Sequence, residues 1–162
     1  MEPVFSLSQT QDKASAYQEF ISDFKSYLDG EDDNISLLAN ASATLKEAFG
    51  WFWVGFYLVH ADGLLHIGPF QGTAACNRIR KGKGVCGTAW AEMQTQVVPN
   101  VEEFPGHIAC ASASKSEIVV PMIKDGRVIG VLDIDSDKLN TFDQTDKIYL
   151  EEIVNYLCHL YR

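Results

Sequence analysis

From residue 12 onward, apolar side chains recur at spacings of three and four: Tyr17, Phe20, Ile21, Phe24, Tyr27 and Leu28. This is the one-sided stripe of an amphipathic helix, and Asp29-Gly30 stops it. A second stripe (Leu38, Ala41, Leu45, Ala48, Phe49) predicts a helix from about Asp33 to Phe49, ended by Gly50. The period then changes. Trp51 to His60 is aromatic and β-branched, Ala61-Asp62-Gly63 reads as a turn, and Leu64 to Gly68 completes a hairpin. Residues 69–84 read as loop, Val85 to Met93 as a short helix, and Gln96 to Val98 as a short strand. Residues 99–115 are irregular; long loops in compact domains are usually functional. Glu117 to Ile123 and Arg127 to Asp135 flank Lys124-Asp125-Gly126 as a second hairpin. A last helix starts near Asp143, with Thr141 or Asp143 as cap and Ile148, Ile153, Leu157 and Leu160 as its apolar face. The order predicts an α+β domain, an antiparallel sheet covered on one face by helices. Residues 1–11 read as a loose lead-in and residues 12–162 as one domain.

Polar residues interrupt this pattern at one informative place. Asp133 and Asp135 are two apart in a predicted strand and share a face. The alternate positions Val128, Gly130, Leu132 and Ile134 face the core, which puts Ile129 and Val131 beside the aspartates. A three-residue Lys124-Asp125-Gly126 loop would pair Ile123 with Arg127 and set Glu117 opposite Asp133. Three carboxyls on one sheet face are ordinarily a solvated surface. Here Val119, Pro121, Ile129 and Val131 accompany them, a mixture that suits a lined cavity. Like charges in such a cavity cannot all stay ionised, and a carboxylic acid kept neutral is a general acid. Trp51, Trp53 and Tyr57 fall on one alternating set of their strand, as core or as an aromatic wall for a ligand.

Composition narrows the chemistry. The net charge is −9, from 13 basic and 22 acidic residues, so a broad nucleic-acid or anionic-membrane surface is not expected. The basic run Arg78-Ile79-Arg80-Lys81-Gly82-Lys83 is short and reads as a solvated loop. The chain shows no segment of membrane-spanning length and no signal peptide, so a cytoplasmic setting is expected, where thiols stay reduced. Four cysteines, Cys76, Cys86, Cys110 and Cys158, are then buried hydrophobes, metal ligands or redox centres. The first three lie in or beside loops of small residues, where two sulfurs can approach. A zinc set of Cys76, Cys86, Cys110 and His107 is conceivable, but its spacing matches no compact zinc motif and no metal is expected. Cys158 reads as helix packing.

Several segments resemble the free methionine-(R)-sulfoxide reductases, a family of single GAF domains, over about residues 12 to 160 and in the same order. They are Gly68-Pro69-Phe70-Gln71-Gly72, Gly84-Val85-Cys86-Gly87, Phe104-Pro105-Gly106-His107-Ile108-Ala109-Cys110, Ser116-Glu117-Ile118-Val119-Val120-Pro121 and Leu132-Asp133-Ile134-Asp135-Ser136. The resemblance implies a six-stranded antiparallel sheet flanked by N- and C-terminal helices, and commonly a homodimer. It implies thiol-dependent reduction of free L-methionine (R)-sulfoxide, with no bound cofactor and with electrons from thioredoxin, recharged by NADPH through thioredoxin reductase. Cys110 is similar to the nucleophile that becomes a sulfenic acid, Cys76 to the resolving cysteine that closes a disulfide, and Cys86 to the family's third cysteine. Glu117, Asp133 and Asp135 resemble the substrate carboxyls, and Trp53 and Tyr57 the wall around the S-methyl group. Two positions depart from the family pattern: Ala111, often Asp there, and the basic segment before Gly84. The alternative is a GAF module that senses a small ligand without turnover; it has no need of two approaching thiols.

Overall fold

In the computed structural model, residues 5–8, 12–108 and 113–162 are described. Helix α1 (Lys13–Leu28) starts where the Asp12 carboxylate accepts from the Ser15 amide, and α2 (Asn34–Phe49) where Asp33 does the same for Ser36. Gly50, in the left-handed conformation, closes α2 as the stripe required. Strands β1 (Trp53–Val59) and β2 (Leu64–Gln71) form the first hairpin. Then come β3 (Arg78–Arg80), α3 (Gly84–Glu92), β4 (Gln96–Val98), a 3-10 turn at Val101–Glu103, β5 (Ser116–Lys124), β6 (Arg127–Ser136) and α4 (Gln144–Leu160). A capping box between Asp143 and Asp146 starts α4.

The six strands make one antiparallel sheet in the order β3-β2-β1-β6-β5-β4. The central strands β1, β6 and β5 have two different faces. One packs Val54, Phe56, Ile118, Val120, Leu132 and Ile134 against α1, α2 and α4. The other carries Trp53, Tyr57, Val119 and Val131 and meets Val85, Cys86, Ala89 and Trp90 of α3. Helices therefore cover both faces, and α3 with its flanking loops roofs the second one.

The second hairpin corrects one expectation and explains another. Its turn is the two-residue Asp125-Gly126, with φ of 53° and 76°, and Lys124 pairs with Arg127. Unaided, that turn would put Glu117 opposite Ile134. Ile129 is instead an extra residue on β6: Ile123 pairs with Val128 and Met122 with Gly130. This bulge shifts the ladder by one, so Glu117 lies opposite Asp135 and Val119 opposite Asp133. The three acids do share a face, through a bulge rather than through the loop length. The bulge also reverses two assignments: Val128 packs on the acid-bearing side and Ile129 on the helical side.

Four further readings change. Trp51 precedes β1 and stacks on Phe49 in the helical core, apart from Trp53 and Tyr57. Ile148 is 61% exposed, while Leu150 and Val154 take its place among the buried residues of α4. Within the basic run, Arg78 to Arg80 is an edge strand with Ile79 buried and the arginines outward. Phe5 of the lead-in is buried against Phe20 and Tyr27.

Gly87 sets how closely α3 approaches the sheet. A Cβ there would lie 2.4 Å from the Arg80 carbonyl oxygen, a backbone atom that cannot rotate away. Gly87→Ala should cost about 1–3 kcal/mol by overpacking, read as a lower urea midpoint; an unchanged midpoint would mean that α3 docks more loosely than the structure has it.

Candidate active site

The bulged ladder presents its carboxyls to the space under α3. Asp135 lies beside Trp53 of β1, and Asp133 beside Gly55. Gly55 has to be glycine, because a Cβ would sit 2.6 Å from the Trp53 ring and 2.3 Å from Phe70 Cβ. The Trp53 ring therefore lies flat across the strand, stacked between Phe70 at 5.2 Å and Tyr57 at 6.1 Å between ring centroids. Both aromatic residues also hold the following loop. Trp53 Nε1 donates to the Thr73 carbonyl at 2.8 Å, and the Tyr57 hydroxyl donates to the Cys76 carbonyl at 3.0 Å.

These groups line a cavity, Trp53, Tyr57, Cys86, Glu117, Asp133 and Asp135 together with Ala75, Ile79, Lys83, Gly84, Val85, His107, Ile108 and Ser114. Six of the eight site residues expected from the sequence, Glu117, Asp133, Asp135, Trp53, Tyr57 and Cys86, line this cavity. Cys76 lies next to it, half-buried and disulfide-bonded. Cys110 and Ala111 lie outside the described residues. Ile108 is a lining residue that sequence reasoning does not assign to the site, and His107 enters that reasoning only as a zinc ligand. His107 and Ile108 stand in the Pro-Gly-His-Ile-Ala-Cys segment that carried the resemblance, the one signal that could have pointed to them.

The electrostatics follow from burial without a buried counter-cation. Burial pushes Glu117 well above the ordinary carboxylate range, and the charges of Asp133 and Asp135 push it further. Burial, then Asp133, does the same to Asp135, opposed by Ser114. Burial raises Asp133 too, but hydrogen bonds from Glu117 and Cys86 favour its anion. The trio is a coupled system in which Asp133 ionises first, with protons retained on Glu117 and Asp135. The Cys86 thiol is held protonated by burial and by the facing carboxylates. Among the described residues, the buried Asp133 Oδ1 has no hydrogen-bond partner. The cavity thus offers in Asp133 the carboxyl that ionises most readily, with a vacant acceptor, and in Glu117 and Asp135 two that hold their protons more firmly. Of the zinc set weighed from the sequence, Cys76 is disulfide-bonded and Cys110 lies outside the described residues. Among the described residues, the group whose ligand atoms converge is Cys86, Glu117 and Asp133.

Residues 32–157 match the family model described as a GAF domain. A protein of Dictyostelium discoideum called GAF domain-containing protein A is 56% identical over 145 residues, covering 90% of this chain and 92% of that protein. The free methionine-R-sulfoxide reductase of Escherichia coli is 45% identical, covering 90% of this chain and 88% of the relative. The crystal structure of free methionine-R-sulfoxide reductase from Neisseria meningitidis, in complex with its substrate, superposes with a TM-score of 0.94 at 51% identity, covering 99% of this chain and 95% of that one. A shared fold at this identity and coverage, around a cavity of buried carboxyls and aromatic rings, leads to one conclusion: the chain belongs to the free methionine-R-sulfoxide reductase family of GAF-domain oxidoreductases.

Proposed function

We propose that the cavity binds free L-methionine (R)-sulfoxide and that the chain reduces it to methionine through a cysteine pair. The observation that carries this reading is the buried trio of carboxyls facing the aromatic wall, with the Asp133 Oδ1 acceptor unfilled. A sulfoxide is a poor electrophile until its oxygen is protonated or strongly hydrogen-bonded, and Glu117 and Asp135 hold protons for that purpose. An ammonium group placed at Asp133 gains a charge-assisted hydrogen bond and neutralises the one anion. For the substrate carboxylate, the first turn of α3 supplies donors: Gly84 and Val85 line the cavity, next to Lys83. The amide of Lys115, by contrast, already donates to the Ser136 carbonyl. A peptide bond at either end would remove a charge that the site needs, which favours the free amino acid. Trp53 and Tyr57 flank the S-methyl group.

In the chemical step, the Cys110 sulfur attacks the sulfoxide sulfur, and the oxygen passes to Cys110 as a sulfenic acid while methionine leaves. The Cys76 thiol then displaces water and a disulfide forms. A thioredoxin dithiol reduces it by exchange, drawing on NADPH. Tyr57 and Trp53, by anchoring the loop of Cys76, set its approach. Cys86, the third cysteine, donates to Asp133 and orients it. The resemblance adds a homodimer to this proposal, and the sequence reading adds a reducing, cytoplasmic setting. Among the described residues, no helix is long and apolar enough to cross a membrane.

The test is a coupled assay with thioredoxin, its reductase and NADPH, in which only the free R sulfoxide should drive NADPH loss. Loss for neither epimer would leave the ligand-sensing reading; equal loss for both would contradict the site. Cys110→Ser should abolish even one stoichiometric turnover, whereas Cys76→Ser should release one equivalent of methionine and then recycle slowly. Unimpaired recycling in Cys76→Ser would move the resolving role to Cys86. Glu117→Gln separates rate from stability. A carboxyl with a raised folded pKa favours folding below its unfolded pKa near 4.3 and progressively opposes it as pH climbs towards the folded value. The variant should therefore lose at least about tenfold in the chemical step, yet melt higher than the parent at pH 7 and not at pH 4. Unchanged kinetics would mean that Glu117 donates no proton.

A further inference from the structure

The reductase reading uses Cys86 only to orient Asp133, yet its sulfur sits in an arrangement with chemistry of its own. The Cys86 Sγ and one carboxylate oxygen each of Glu117 and Asp133 all lie within 4.8 Å of one another. All three side chains are buried: Cys86 is 4%, Glu117 6% and Asp133 6% exposed. They come from three different elements, the first turn of α3, β5 and β6, so packing of the fold, not a local turn, brings them together. Asp133 Oδ1 has no hydrogen-bond partner and faces the cavity. A buried acceptor left unfilled marks a place where a donor or a cation is missing.

We propose that Cys86, Glu117 and Asp133 form a binding site for a borderline-soft divalent cation of the zinc type, overlapping the place of the substrate's ammonium and sulfoxide oxygen. One thiolate and two carboxylates suit such an ion. Zn–S bonds of about 2.3 Å and Zn–O bonds of about 2.0–2.2 Å need tetrahedral ligands roughly 3.3–3.7 Å apart, a modest contraction of this cluster. Magnesium and calcium, which take oxygen ligands in larger number, are disfavoured by the sulfur. Three protein ligands leave the fourth position open towards the cavity. The ion takes the place of two protons: three anions around a dication carry one net negative charge, the same as the Asp133 anion beside a protonated Glu117 and Cys86.

Binding replaces the protons of the Cys86 thiol and the Glu117 carboxyl, so each ion bound releases two protons. Affinity should therefore climb by up to about 100-fold per pH unit while both groups remain protonated in the free protein. Asp135, Tyr57, Lys83 and His107 face the same cavity. Lys83 and a protonated His107 oppose the cation, and an ionised Asp135 favours it. The consequence is an oxidoreductase whose pocket is closed by labile zinc and reopened by its substrate.

Cobalt(II) is the probe, because a thiolate ligand gives it a near-ultraviolet charge-transfer band. The protein is the full chain carrying Cys76→Ser and Cys110→Ser, which removes those two sulfurs as competing ligands. One cobalt per chain and a charge-transfer band are expected. Cys86→Ser should abolish the band, and Glu117→Gln and Asp133→Asn should each weaken binding at least about tenfold. Circular dichroism checks that each variant folds; if Cys86→Ser does not, the near-isosteric Asp133→Asn supplies the same reading. No uptake, a band that survives Cys86→Ser, or undiminished binding by both carboxyl variants would overturn the site. The overlap rests on the reductase reading and is tested separately in the parent chain: free methionine (R)-sulfoxide should displace cobalt. Cobalt binding in a protein that turns over no sulfoxide would uphold the cation site while the reductase reading failed.

Discussion

Three carboxyl groups buried on one face of a sheet, with no cation buried among them in the described residues, are the constraint from which the remaining features of this molecule follow. Removing a carboxylate from water is expensive, by several kcal/mol per ion even after relaxation. Neutralisation is the available escape, and the group best supplied with hydrogen bonds keeps the charge. Asp133 has the Glu117 and Cys86 donors, so Glu117 and Asp135 carry the protons. The cavity is thus acidic in composition while presenting one anion and two acids. A ligand bringing a cation and a basic oxygen completes it, and an oxidised amino acid has both.

The scaffold serves that arrangement at every level. The Ile129 bulge brings Glu117 across from Asp135; Gly55 lets the Trp53 ring cross the strand; Gly87 lets α3 settle close enough for Cys86 to meet Asp133. The opposite face of the same strands packs Val54, Phe56, Ile118, Val120, Leu132 and Ile134 on three capped helices, which holds the sheet rigid beneath the cavity. Rigidity below and a destabilised cluster above is the usual division between stability and activity in an enzyme.

Much of this could be read from the residues. Asp12, Asp33 and Gly50 mark helix ends by local chemistry alone, and the structure places caps there. The shared face of Asp133 and Asp135 follows from strand periodicity. What periodicity could not supply was the bulge. Lys124-Asp125-Gly126 suits two turn types, and the extra residue sits three positions further on, at an Ile129 that looks like any other strand residue. The misplacement of Val128, Ile129 and Trp51 has the same origin: alternation holds only while the ladder is unbroken. Ile148 failed because two overlapping apolar stripes run along α4, and packing chose the one with Leu150 and Val154. The role of Cys86 was illegible because its partners are 31 and 47 positions away in the chain.

The division of protons among the three carboxyls is the claim to test first. Carboxyl-carbon NMR titration of the ligand-free protein, with Glu117, Asp133 and Asp135 assigned, reads it directly. Glu117 and Asp135 should titrate well above the ordinary carboxylate range and Asp133 lowest of the three, in coupled steps. Three independent titrations near pH 4 would show a hydrated surface in place of a buried acid cluster, and the chemistry assigned to it would have no basis.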